Sequence, residues 1–160
     1  MARKLRERPP PSAWMRALLR APIVLYRIGL GPLLGGRFLL LRHVGRNTGT
    51  PRRTVLEVVD FDRETNTYYV AVGFGPHSDW FKNLKHHPRA RIETGFRKLD
   101  VVAHPLDVRE GAARMCSYAR RNPKLARSLA KFMGYEVDGS QADYAALPQL
   151  GLQFVALRVL

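Results

Sequence analysis

A glycine-punctuated basic turn separates two strand-like runs in the first third of this chain. Residues 44–53 read Val-Gly-Arg-Asn-Thr-Gly-Thr-Pro-Arg-Arg and lie between short apolar runs at residues 38–43 and 54–60. Two such runs joined by a glycine-containing turn are typical of an antiparallel hairpin. The glycines permit positive φ and leave backbone N–H groups exposed. With three arginines in it, the turn predicts a phosphate or carboxylate site; a solvated basic hairpin is the alternative.

The strand and helix signals in the rest of the sequence favour a barrel with helices around it. Strand-like runs occupy residues 38–43, 54–60, 67–72, 90–94, 97–103 and 153–159. Helix signals cover residues 79–84, 107–121 and 123–133 and begin again at Asp143. Short strands joined mostly by hairpins, with helices inserted near the end, predict an α+β fold. We expect a barrel of about six mostly antiparallel strands with flanking helices.

The N-terminal part is predicted to be organised differently from the rest. Residues 1–11 form a basic flexible tail, residues 12–36 an amphipathic helical segment, and residues 37–160 the barrel domain. On a helical wheel Arg16, Arg20 and Arg27 share one face of an otherwise apolar segment. Such a segment either lies on an anionic membrane surface or packs on the domain core with one solvated stripe.

Positive charge is concentrated at the start of the chain. The first 55 residues contain twelve basic residues and one acid, Glu7, within a formal net charge of +14. This concentration of positive charge implies an anionic partner. No nucleic-acid-binding signature accompanies it, so no nucleic-acid partner is expected. One cysteine and no secretory signal indicate a cytoplasmic protein. Peripheral contact with the inner face of the membrane is the second expectation for its location.

No side-chain constellation in the sequence is sufficient for catalysis. The histidines lack a metal-ligand spacing, so no metal site is predicted. Neither Ser78 nor Cys116 lies in a nucleophile motif. No catalytic residue is therefore identified, and we expect a bound cofactor to carry any chemistry.

A second loop supports such a cofactor. Residues 73–84 combine two glycines with the start of a short helix, where anions are favoured. Trp80 and Phe81 are positioned to flank a planar ring, and Asn83 to hydrogen-bond its edge. The alternative for Trp80 is packing in the core.

These residues resemble a known family. Gly45-Arg46-Asn47-Thr48-Gly49-x-Pro51-Arg52 resembles the G-R-x-T-G-x-P-R turn of the deazaflavin (coenzyme F420)-dependent nitroreductases. The stretch from Trp80 to Pro88 is similar to that family's W-Y-x-N-L-x-x-x-P segment, in the same order and at a similar spacing. The resemblance extends over residues 39–105.

The resemblance implies a split β-barrel that binds coenzyme F420. The implied reaction passes hydride from the reduced cofactor to a small-molecule electron acceptor, which is a quinone, a nitroaromatic or an activated alkene. A protein acid or a water supplies the proton. The implied cofactor-binding residues are Arg46, Asn47, Thr48, Arg52, Arg53, Thr54, Val55, Gly73, Phe74, Trp80 and Asn83. Tyr135 and Tyr144 are the candidates for the substrate pocket.

The chain also departs from the family pattern. Asn47 and Phe74 stand where lysines are common in the family, and Glu57 stands where a tyrosine is expected. Fewer cations favour an alternative function, a non-catalytic split barrel that binds a fatty acid or a related lipid anion. The sequence carries no signal for oligomeric state.

Overall fold

Six strands of the chain close into one antiparallel barrel. The structure is a computed structural model that describes residues 1–5, 23–25, 27–28, 30–73 and 77–160. Its elements in chain order are β1 (Arg3–Lys4), a 3-10 helix (Gly31–Arg37), β2 (Phe38–Val44), β3 (Pro51–Asp62), β4 (Thr67–Ala71), α1 (Asp79–His86), β5 (Arg89–Thr94), β6 (Arg97–Pro105), α2 (Val108–Arg121), α3 (Pro123–Phe132), β7 (Tyr135–Glu136), α4 (Gln141–Ala146) and β8 (Phe154–Val159). The barrel order is β2-β3-β4-β8-β6-β5, and β5 pairs with β2. The predicted fold class is confirmed.

The basic turn joins β2 to β3, as predicted. The hairpin register places Val44 opposite Pro51 and His43 opposite Arg52. Strand β3 is longer than the predicted run at both ends, and its first residue is Pro51. A proline is tolerated at the first position of a strand, since its missing N–H removes no interior ladder bond. The two flanking arginines of the turn therefore belong to the strand, where backbone geometry fixes their direction.

Apolar residues form two separate cores. The first fills the barrel and consists of Leu39, Leu41, Leu56, Tyr68, Val70, Val72, Trp80, Phe81, Leu84, Ile92, Val101, Ala103, Val155 and Leu157. The second lies between the outer face of the barrel and the helices, and it contains Val59, Tyr69, Met115, Tyr118, Tyr135, Tyr144, Leu147 and Phe154 among others. Alternate residues of one strand serve the two cores because side chains alternate across a sheet.

Helix α2 is held by its cap and by ion pairs to the barrel. Asp107 accepts a hydrogen bond from the Glu110 N–H at 2.8 Å, and the Glu110 carboxylate accepts one from the Asp107 N–H at 3.1 Å. This reciprocal pair is a capping box. Arg114 and Arg121 of α2 both reach Asp60 of β3, at 3.1 and 2.9 Å. These contacts fix α2 against β3 on the outside of the barrel.

The N-terminal part differs from the sequence expectation where it is described. Strand β1 pairs antiparallel with β7, a two-stranded sheet formed partly by residues that were predicted as tail and loop. The last part of the predicted amphipathic segment forms the 3-10 helix Gly31–Arg37, directly before β2. Residues 6–11 of the predicted tail and residues 12–22, 26 and 29 of the predicted amphipathic segment lie outside the described residues.

Candidate functional site

The β2–β3 turn is tightly closed by its own hydrogen bonds. The Gly45 N–H donates to the Thr50 carbonyl at 2.9 Å, and the Gly49 N–H donates to the Gly45 carbonyl at 2.8 Å. A Cβ on Gly45 would lie 2.7 Å from Thr48 Oγ1, and Gly49 has a φ of +66°. Glycine is therefore required at both positions, for space at Gly45 and for backbone conformation at Gly49.

Asn83 anchors this turn from helix α1. Its Oδ1 accepts from the Arg46 backbone N–H at 3.1 Å and from the Arg46 guanidinium at 2.9 Å. Its Nδ2 lies 3.1 Å from His43 Nδ1. Asn83 and His43 are 4% and 6% exposed. The predicted cofactor contact Asn83 is thus a buried residue whose amide oxygen and nitrogen are both engaged within the protein.

Arg46 is also held in place by an ion pair. Its guanidinium lies 3.2 Å from Asp79 Oδ1, at the first residue of α1. The Asp79 side chain is largely exposed and that of Arg46 is about one-quarter exposed. Because exposed ion pairs are weak, an incoming anion competes with Asp79 at little cost. Arg46 therefore links the turn to α1 and keeps part of its guanidinium at the surface.

Arg52 and Arg53 point to opposite faces of β3. Arg52 faces the same side as its cross-strand partner His43, and its Nε lies 3.7 Å from where a Cβ on Gly45 would be. Arg53 pairs with Arg42, on the outer face of the barrel. Arg46 and Arg52 thus both lie at the turn, whereas Arg53 lies on the outer face of the barrel.

Arg53 instead belongs to a row of three arginines. Arg42 is directly opposite Arg53 on one side and directly opposite Arg91 on the other. Arg42 pairs with Glu93 at 2.6 Å, and Arg91 pairs with Asp100 at 2.8 Å. Like charges directly opposite one another repel, so these two carboxylates are needed to stabilise the row.

The electrostatics of the site keep His43 neutral. Burial and the neighbouring Arg52 guanidinium lower the pKa of His43 from 6.5 to about 4, and Asp79 opposes them in part. Sequence reasoning missed His43 as a site residue. The signal that could have found it is the alternation Leu39, Leu41, His43, which places a polar side chain on the interior face opposite Arg52.

The other predicted cofactor contacts are distributed around the barrel end. Thr54 and Val55 are partly buried and face opposite sides of β3, opposite Leu41 and Leu40. Asn47 and Thr48 are exposed at the tip of the turn. Thr48 Oγ1 lies 2.7 Å from Thr50 Oγ1.

The second loop is only partly described. The Gly73 carbonyl accepts a hydrogen bond from Ser78 Oγ at 2.6 Å, which closes the loop, and the predicted contact Phe74 lies outside the described residues. Trp80 is 9% exposed and belongs to the barrel core together with Phe81. Most of the Trp80 side chain is therefore packed in the core, as the alternative prediction for this residue has it.

Tyr135 and Tyr144 lie in the other core. Both are buried between the barrel and the helices, and the Tyr135 hydroxyl donates to the Leu150 carbonyl at 3.4 Å. The turn, by contrast, lies at the end of the barrel that Trp80 and Phe81 fill. The structure therefore does not bring these two predicted substrate-pocket residues to the turn.

Glu57, which departs from the family pattern, has a structural partner. The Tyr118 hydroxyl of α2 donates to Glu57 Oε1 at 2.7 Å. Burial, followed by this hydrogen bond and the carboxylate charge, raises the pKa of Tyr118. Glu57 therefore joins β3 to α2 on the outer face of the barrel, away from the turn.

Two further features bear on function. Within the described ranges, no group of three or more His, Cys, Asp or Glu side chains is arranged to hold a metal ion. Over the same ranges, no helix has the length and apolar character needed to cross a membrane.

Comparison with known proteins identifies the family. Residues 12–130 match the F420H(2)-dependent quinone reductase family. The chain belongs to this family. The match spans the turn, α1 and most of the helical layer, and it makes the protein a member of an oxidoreductase family. No curated protein is significantly similar in sequence.

Solved structures support the fold. An F420-H2-dependent reductase (FDR-A) is 18% identical, with 76% of this chain and 94% of that one covered, at a TM-score of 0.52. A pyridoxamine 5'-phosphate oxidase-related, FMN-binding protein from Nostoc punctiforme is 16% identical. The match covers 94% of this chain and 83% of that one, at a TM-score of 0.54. The conserved hypothetical protein Rv2991 from Mycobacterium tuberculosis is 16% identical. The match covers 98% of this chain and 86% of that one, at a TM-score of 0.53. At these identities the likeness establishes the split-barrel fold.

Proposed function

We propose that this protein is an F420H2-dependent reductase that passes hydride to a quinone, a nitroaromatic or an activated alkene. The observation that carries the proposal is the family match over residues 12–130. The donors at the turn are consistent with it, because Arg52, Asn47 and Thr48 are all exposed and their side chains can donate to a phosphate.

The residues present fit an anionic cofactor. A Cβ placed on Gly49 would meet no atom within 4 Å, so there is open space beside the turn. Arg52 has no acidic partner among the residues that the structure describes, and its charge is available to a ligand. Arg46 also lies at the turn, where its guanidinium donates to Asn83 and makes an exposed ion pair with Asp79. The loss of lysines at positions 47 and 74 leaves these two arginines as the main cations.

The protein's own part in the reaction is to bind and orient. The hydride comes from the reduced deazaflavin when it is bound. Arg52 and Arg46 would hold the phosphate at the turn, with Asn47, Thr48, Thr54, Gly73 and Trp80 completing the cofactor site. Trp80 and Phe81 close the barrel end beneath them and exclude water from that side. Holding both reactants in place removes much of the entropic cost of their encounter.

Titration with F420, followed by its fluorescence, tests this function. We expect binding in the micromolar range, weakened about 10- to 100-fold by Arg52→Ala through loss of a charge-assisted hydrogen bond. Arg63→Ala is the matched control, because Arg63 is exposed just beyond the other end of β3. Absence of F420 binding by the wild-type protein at tens of micromolar would refute the proposal. Mass spectrometry of the purified protein then tests the alternative, which requires a co-purifying acyl chain.

We also propose that the protein is cytoplasmic and associates peripherally with an anionic membrane. The support is a set of exposed apolar side chains, Val24, Ile28 and Leu33, in the segment before β2. In the arginine row on the outer face of the barrel, Arg42 and Arg91 are paired with carboxylates, and Arg53 adds positive charge. Apolar insertion and basic charge together are what binding to anionic lipid requires.

A further inference from the structure

The orientation of the Asn83 amide determines which nitrogen of His43 carries the proton. Asn83 Oδ1 accepts two hydrogen bonds from Arg46, so the other end of the amide must be the Nδ2 donor. That donor lies 3.1 Å from His43 Nδ1, which must therefore accept. A neutral His43 with an unprotonated Nδ1 carries its hydrogen on Nε2.

The Nε2–H group has no protein partner in the part of the chain that the structure describes. His43 is 6% exposed and is the last interior-facing residue of β2 before the turn. Among the described residues, the fully buried side-chain atom left without a partner is Gln153 Oε1, so His43 Nε2 reaches the surface at the barrel end. This donor is therefore accessible to a ligand atom or to water.

The charges around His43 favour an anionic ligand. Arg52 faces it from β3, Asp79 faces it from α1, and Arg46 lies in the turn above the same amide. Because His43 stays neutral at pH 7, its Nε2–H remains a donor and adds no repulsion toward Arg52. The side chains of His43 and Arg52 thus present two donors from neighbouring positions of one hairpin.

We propose that His43 Nε2–H and the Arg52 guanidinium together bind one phosphoryl group, with Asn83 and Arg46 as positioning residues. This inference rests on the proposed function when the phosphoryl group belongs to F420. Free inorganic phosphate has the same chemistry and is the other source. His43 is then a ligand-binding residue that neither the turn motif nor the α1 motif includes.

Nitrogen-resolved NMR of the histidine rings tests the inference directly. In 15N-labelled wild-type protein at pH 7, we expect His43 in the Nε2–H form, assigned by the loss of its signals in His43→Asn. Addition of F420 is expected to shift the His43 Nε2 and attached proton signals. Addition of the deazaflavin without its phosphate-bearing tail is expected to leave them in place.

Binding by matched variants gives a second measurement. In His43→Asn the introduced amide oxygen can still accept from Asn83, but the variant lacks the outer ring donor. We expect this variant to bind F420 about 10-fold more weakly, which corresponds to one lost hydrogen bond. His104→Asn is the control, because His104 is exposed on β6, and its affinity for F420 is expected to be unchanged.

The possible results separate this inference from the proposed function. If the wild-type protein binds F420 while the His43 signals and the His43→Asn affinity are unchanged, the inference is wrong and the function stands. If the protein does not bind F420, the function fails and titration with inorganic phosphate decides the inference. A phosphate-induced shift of the His43 signals, absent with chloride, then supports it, and no shift overturns it.

Discussion

His43, Asn83 and Arg46 form a chain of hydrogen bonds in which each group satisfies the next. The Arg46 N–H groups donate to Asn83, and Asn83 donates to His43. Each of these groups would be costly to leave unpaired at its depth. These hydrogen bonds therefore couple the conformation of the turn to the protonation state of His43.

The depressed pKa of His43 predicts a pH-dependent stability. The folded-state value is about 4 and the unfolded value 6.5, so between them the unfolded chain binds the extra proton. Stabilisation from neutral His43 is therefore complete above pH 6.5 and is lost as the pH falls toward 4. We expect a loss on the order of 3 kcal/mol in the free energy of unfolding over this interval. Urea denaturation at several pH values measures it.

The same experiment on variants isolates the contribution of His43. His43→Asn should show a shallower fall in stability between pH 6.5 and 4, because its side chain does not titrate. Asn47→Ala should keep the wild-type slope, since Asn47 is exposed and its side chain carries no titratable group. Equal slopes for all three proteins would show that other groups account for the acid sensitivity.

At the scale of elements, helix α1 is docked on the β2–β3 turn by polar contacts as well as by its apolar face. Trp80, Phe81 and Leu84 insert into the barrel core. Asn83 and Asp79 hold the turn above them. The helix thus closes one end of the barrel and fixes the candidate site in the same step.

Removing the Asn83 amide is expected to loosen this docking. Asn83→Ala leaves the Arg46 N–H groups without their acceptor and His43 Nδ1 without its donor. We expect a loss of about 1–3 kcal/mol in the free energy of unfolding. Asn47→Ala, at an exposed position of the same turn, should change it by less than about 0.5 kcal/mol. Urea denaturation of the two variants gives the comparison.

A third variant distinguishes the two halves of the amide. Asn83→Asp keeps an acceptor for Arg46 but replaces the donor to His43 with a second acceptor. His43 is then expected to bind a proton at Nδ1, so its pKa should rise toward or above the ordinary value. An unchanged His43 titration in this variant would contradict the hydrogen-bond assignment.

At the scale of the whole molecule, the N-terminus is part of the folded structure. Strand β1 pairs with β7, and the Met1 ammonium group lies 3.5 Å from the Asp143 carboxylate. Deleting the first residues to test membrane binding would therefore also remove a sheet. Substitutions within residues 6–22 leave β1 intact and are the better test.

We expect neutralisation of the predicted amphipathic face to weaken membrane binding. The double variant Arg16→Gln and Arg20→Gln should bind phosphatidylglycerol vesicles less tightly, at about 1 kcal/mol for each arginine. Its F420 affinity should not change. Sedimentation with vesicles provides the measurement, and neutral phosphatidylcholine vesicles provide the baseline.

Substitution of arginines elsewhere serves as the matched control. Arg63→Gln with Arg109→Gln removes the same charge from exposed positions after β3 and on α2. If both double variants lose binding equally, net charge rather than the N-terminal segment controls association. If neither loses any, the peripheral membrane proposal is refuted.

The barrel and the position of the basic turn could be predicted from the sequence alone. Alternating apolar strands, glycine turns and helix caps are local signals, and they predicted six antiparallel strands with flanking helices. They also located the β2–β3 turn and α1, because both motifs are short and contiguous. The weak two-residue strands β1 and β7 escaped prediction, since their pairing joins Arg3 to Glu136 across most of the chain.

The burial and hydrogen-bond partners of the polar groups at the turn, by contrast, followed from the tertiary structure. Packing α1 against the turn directed Asn83 inward, where its amide contacts both Arg46 and His43. Because β3 begins before Arg52, Arg52 and Arg53 lie on opposite faces of that strand. Tyr135 and Tyr144 are buried beneath the helices. A sequence motif specifies residue types and spacing, whereas burial and hydrogen-bond direction depend on contacts between distant segments. For that reason the sequence predicted where the candidate site lies but not which side chains contact one another there.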